Sequence, residues 1–107
     1  TIKPVIEYIM ENFLKSKISV PFLADKCGIS EAYLKKLFVK KFGMSPLRYI
    51  IRLKINHACD LLHSNQYSVT QVAEICGYDN VYFFSRQFKE YVGTSPSVFV
   101  EKYISSK

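Results

Sequence analysis

"FGMSP" at residues 42–46 returns as "VGTSP" at residues 92–96, so Gly-x-Ser-Pro occurs twice in a chain of 107 residues. Each part has a local physical meaning. Glycine accepts the left-handed backbone that ends a helix. The serine hydroxyl caps the helix that follows, and proline suits the first helical position, where a missing N–H costs nothing. The motif therefore spells a sharp corner between two helices.

The corner repeats because a larger unit repeats. In "LADKCGISEAYLKKLFVKKFGMSPLRYI" (23–50) and "VAEICGYDNVYFFSRQFKEYVGTSPSVFV" (72–100), Ala24, Cys27 and Gly28 match Ala73, Cys76 and Gly77 at an offset of 49. Phe38, Gly43, Ser45 and Pro46 match Phe88, Gly93, Ser95 and Pro96 at an offset of 50, and Tyr49 falls opposite Phe99. One residue is gained between the two blocks, where helix caps vary.

Apolar residues recur at helical spacing along nearly the whole chain. Ile2, Val5, Ile6, Ile9 and Phe13 mark a first helix. Ser19 caps a short second helix running to about Cys27, and Ser30 caps a third with the stripe Leu34, Leu37, Phe38 and Phe42. A fourth runs from Pro46 to about His63, with Leu47, Ile50, Ile51, Ile55, Ala58, Leu61 and Leu62 on its apolar face. Ser68 with Gln71 three residues on is a capping box for a fifth helix reaching Cys76. Asp79 or Asn80 caps a sixth, with the stripe Phe84, Phe88 and Val92, and Ser95-Pro96 opens a seventh running to about 104. "KISVPF" (17–22) is the nearest approach to a strand, but it is short and holds Pro21. Ser105 to Lys107 are expected to fray.

The expected fold is thus all-α: seven helices, with two helix-turn-helix units (about 19–43 and 68–93) joined by a long central helix (about 46–63). The whole chain, 1–107, is expected to act as a single domain. In a helix-turn-helix the second helix can enter a DNA major groove. Opposite the buried stripes, the third helix presents Ala32, Lys35, Lys36, Val39 and Lys40, and the sixth presents Val81, Tyr82, Ser85, Arg86 and Lys89. Cations recur on both faces, and acidic residues (Glu31, Glu90) stand only near the helix ends. Lysine and arginine reach guanine O6 and N7, while alanine and valine touch thymine methyls. The chain carries 15 Lys and Arg against 9 Asp and Glu, a net charge of +6 that suits a polyanionic partner.

The central helix would span about 27 Å at 1.5 Å per residue. One turn of B-DNA is about 34–36 Å. The slight shortfall implies bent DNA, at a cost of about 1–6 kcal/mol, or one helix that engages poorly.

These residues, with "RLKINHACDLL" (52–62) in the connector, resemble the DNA-binding domain of the AraC/XylS family of bacterial transcription regulators, over about Ile2 to Tyr103. The resemblance implies sequence-specific binding of double-stranded DNA, with two recognition helices in successive major grooves. It implies base-facing positions at Ala32, Lys35 and Lys36 on the first recognition helix, and at Val81, Tyr82, Ser85 and Arg86 on the second. Phosphate contacts would come from Ser30, Lys40, Asn80 and Lys89. Val81 and Tyr82 are bulky where the family often carries small or amide side chains, which favours methyl or sugar contacts there. The resemblance also implies a transcription regulator, activator or repressor, with RNA polymerase as a further partner and an effector or dimerisation domain on another part of a longer chain; the odd, widely spaced cysteines fit a reducing cytoplasm.

Other chemistry finds little support. No run of eighteen apolar residues occurs, so no membrane helix is expected. Cys27, Cys59 and Cys76 are odd in number and widely spaced, against a disulfide framework. Cys59 and His63 lie four apart on one helix, but nothing completes a metal site. Asp25, Asp60 and Glu74 are isolated carboxylates, and no cysteine has an evident base. No enzyme activity and no cofactor are expected. Tyr33, Phe83, Phe84 and Phe88 are expected mostly in the core. The alternative to DNA reading is a helical interaction module that meets an acidic partner through its basic face.

Overall fold

The computed structural model describes residues 2–15 and 18–103, and among these residues the regular structure is seven helices and no strand. They are α1 (Lys3–Asn12), α2 (Val20–Cys27), α3 (Glu31–Phe42), α4 (Pro46–His63), α5 (Val69–Ile75), α6 (Val81–Val92) and α7 (Pro96–Tyr103). Val20, Pro21 and Phe22 of the strand candidate lie in α2. Ile104, and the expected fraying of Ser105 to Lys107, lie outside the described residues.

The caps follow the sequence closely. Ser19 Oγ accepts from the Phe22 N–H, and Ser30 Oγ from the Tyr33 N–H. Ser68 and Gln71 form the reciprocal capping box. Asn80, not Asp79, caps α6, its Oδ1 accepting from the Tyr82 and Phe83 N–H groups. Helix α5 ends one residue early, with Cys76 as its C-cap. At the two corners Gly43 has φ 74° and Gly93 φ 103°, and their N–H groups donate to the Val39 and Lys89 carbonyls. A side chain at either position would strain the left-handed backbone. Ser45 and Ser95 then cap α4 and α7 through the N–H groups of Arg48 and Val98, both at 3.3 Å.

The chain divides into two compact units, residues 1–53 and 54–107, with the boundary inside α4. In the first unit Val5, Ile9, Leu23, Ala24, Leu34, Phe38 and Ile50 form the buried core. In the second, Ile55, Ala58, Leu62, Val72, Ala73, Cys76, Phe84, Phe88 and Phe99 are buried. The repeat extends to packing geometry. The Phe38 and Tyr49 rings meet edge-on at 5.6 Å, and their counterparts Phe88 and Phe99 meet edge-on at 5.5 Å. Pro46 and Pro96 are both fully buried. The start of α4 therefore closes the first unit as α7 closes the second.

Two details depart from the sequence expectation. Leu47, assigned to the apolar face of α4, is 54% exposed. The buried positions of α4 instead include every fourth residue, Pro46, Ile50, Lys54, Ala58 and Leu62, and Leu47 lies one 100° step off that row. Lys54 sits within the row and is only 9% exposed. Its stem lies along the core while its Nζ stands over the Tyr78 ring, 5.2 Å from the centroid. Burial lowers the Lys54 pKa, and the neighbouring Cys76 and Asp79 oppose that shift.

Candidate nucleic-acid interface

Each unit contains a short helix, a turn through a left-handed glycine (Gly28 or Gly77) and a longer, side-chain-capped helix. Burial of Leu34 and Phe38 on α3, and of Phe84 and Phe88 on α6, fixes which side of each long helix turns outward. On α3 this leaves Ala32, Lys35, Lys36 and Lys40 exposed. On α6 it leaves Tyr82, Arg86 and Lys89 exposed, with Val81 and Ser85 half-buried at the edge. The expected base-facing residues therefore share one side of their own helix in each unit.

The residues expected at phosphates lie on or beside these faces. Ser30 and Asn80 are exposed N-caps. Their oxygens are engaged by helix N–H groups, which leaves the serine O–H and the asparagine amide N–H groups as donors for an anion. The positive end of each helix dipole adds to that attraction. Lys40 lies in the last turn of α3 together with Lys41, a cation the sequence reading passed over. The run Lys40-Lys41 was the available signal. Lys89 occupies the last turn of α6.

The aromatic residues divide differently from expectation. Phe84 and Phe88 are fully buried, but Tyr33 is 51% and Phe83 50% exposed. Each of the latter stands one residue before an inward position, so a 100° step carries it to the rim of the core. Tyr82 is more open still, at 77%.

The other candidate groups of the sequence can be placed among the described residues. Among the described residues no three His, Cys, Asp or Glu side chains converge as a metal site. Burial pushes the Cys76 thiol up to about 11, and burial followed by the Asp60 charge raises Cys59, so both stay protonated near neutral pH and neither is an activated nucleophile. His63 is exposed and meets the Phe99 ring edge-on at 5.3 Å. No described helix is long and apolar enough to cross a membrane.

Two capped helix-turn-helix units with cationic outer faces define the class: a helix-turn-helix DNA-binding domain. Comparison with known proteins agrees. The family model described as "Helix-turn-helix domain" matches residues 23–102. The MmsAB operon regulatory protein of Pseudomonas aeruginosa is 33% identical over 93 residues, which cover 87% of this chain and 30% of that protein. The structure of a probable AraC family transcriptional regulator from Rhodopseudomonas palustris is 30% identical, with a TM-score of 0.78 and 94% of each chain covered. The fold also matches the DNA-binding domain of AdpA, a global transcriptional factor, at a TM-score of 0.88 and 24% identity over 99% of this chain and 95% of that one.

The chain belongs to the AraC/XylS-type helix-turn-helix family, the DNA-binding domains of transcription regulators. It spans less than a third of the length of the MmsAB regulator.

Proposed function

We propose that residues 1–107 act as one DNA-reading domain of a longer transcription regulator, with α3 and α6 each entering a major groove and the two grooves successive along the duplex. The observation that carries this is the repeated, capped helix whose outward side holds long cations and small or apolar side chains in both units. Lys35, Lys36 and Arg86 would reach guanine edges, and Ala32, Val81, Tyr82 and Ser85 would fill the groove floor beside them. Ser30, Asn80, Lys40 and Lys89 would hold the phosphates and set the register.

As a regulator acting on cytoplasmic DNA, the parent protein would regulate transcription through RNA polymerase and carry an effector or dimerisation domain elsewhere. The kinship with bacterial operon regulators supports that wider role, and gives no reason to assign catalysis.

A gel shift at moderate salt with excess random duplex tests the reading. A selected duplex should stay bound, whereas a non-specific polyanion binder would be stripped from it. The same assay tests the assignment of Lys40. Lys40→Ala should weaken all duplexes alike and lower the slope of log affinity against log salt by about one. Loss confined to one sequence would instead mark Lys40 as a base contact.

A further inference from the structure

The two units differ chemically on the turn that enters the groove. In α3 that turn reads Glu31-Ala32-Tyr33-Leu34, with one acid, and is followed by Lys35 and Lys36. In α6 it reads Val81-Tyr82-Phe83-Phe84, without a charge, and is followed by Ser85 and Arg86, so that Tyr82 stands where α3 has Ala32 and Ser85 where α3 has Lys35. Phe84 is buried, Val81 is half-buried and Phe83 leans on the Tyr78 ring at 6.1 Å. Tyr82 alone of the four stands mostly in solvent, at 77% exposure. Its root is nonetheless fixed, because its backbone N–H donates to Asn80 Oδ1 at 2.7 Å. A large apolar ring is thus held at the end of the helix that meets base edges in this class of domain. The only apolar feature that base edges present in the major groove is the C5-methyl of thymine.

We propose that Tyr82 is a specificity-determining residue that reads thymine methyl groups, so that the half-site under α6 holds a thymine contact beside the guanine read by Arg86. This rests on the DNA-reading role proposed above. The ring would cover a methyl in van der Waals contact, and the phenol oxygen is not required.

The test uses duplexes selected by the unmodified chain that withstand random competitor. Thymines in the α6 half-site are replaced one at a time by deoxyuridine, which lacks only the methyl. At one or two positions the unmodified chain should lose about fourfold in affinity, the worth of one buried methyl. Tyr82→Phe should keep that discrimination. Tyr82→Ala should bind the thymine and uracil duplexes alike, with an unchanged thermal melt because the side chain is exposed. Equal binding by the unmodified chain at every position, or discrimination that survives in Tyr82→Ala, would overturn the methyl assignment and leave DNA reading intact. A failure to obtain any competitor-resistant duplex would overturn both.

Discussion

Replacing Phe88 by alanine is expected to lower the unfolding free energy by about 3–5 kcal/mol, the usual cost of emptying a buried aromatic site. Phe88 is fully buried, with Phe84 at 5.7 Å and Phe99 edge-on at 5.5 Å. These neighbours are stiff rings on α6 and α7, so the cavity cannot close without moving a helix. Small domains have only about 5–15 kcal/mol in total. The thermal midpoint should fall by about 4–8 °C for each kcal/mol lost, read by circular dichroism. Phe83→Ala is the matched control. Its ring is half exposed, five residues away on the same helix, and its loss should cost well under half as much. Equal losses at the two positions would mean that the core of the second unit is not built around Phe88.

Arg86→Ala should weaken specific binding by about 1–3 kcal/mol and relax the preference at one base position. Arg86 is exposed, and it lies one turn after Tyr82 on the outward side of α6. Its guanidinium can present two parallel N–H donors to guanine O6 and N7, a pairing that no other base edge matches. The chain should still fold, because nothing in the core depends on this side chain. Measured affinities for duplexes carrying each of the four bases at the contacted position would check the prediction. A uniform loss across all four would place Arg86 on a phosphate instead.

Much of the fold was legible because local chemistry and global packing agree here. Cap residues, corner glycines and the 3.6-residue apolar period all pointed to the same helix ends. The internal repeat then paired positions that packing treats alike, as the matched ring contacts of Phe38 with Tyr49 and Phe88 with Phe99 show. What the sequence hid was mostly rotation about a helix axis. Leu47 and Phe83 have apolar side chains at helical spacing, yet one 100° step separates them from the buried rows. Lys54 was hidden for the opposite reason. Its place in the row Ile50, Lys54, Ala58 was visible, but a lysine there is intelligible only once Tyr78, from the turn between α5 and α6, lies under its ammonium.

The candidate interface was legible to the extent that it is the complement of the core. Once Leu34, Phe38, Phe84 and Phe88 point inward, Lys35, Lys36, Tyr82 and Arg86 have to point out. The degree of openness was not legible, and it is what sets Tyr82 apart from Val81 beside it.

Selection of bound duplexes from a random pool, followed by sequencing, tests the paired use of both units most directly. The expected product is two short boxes whose centres lie about 10–10.5 base pairs apart, one turn of the double helix. Enrichment of a single box, or no enrichment above the starting pool, would contradict a domain that reads DNA with both of its long capped helices.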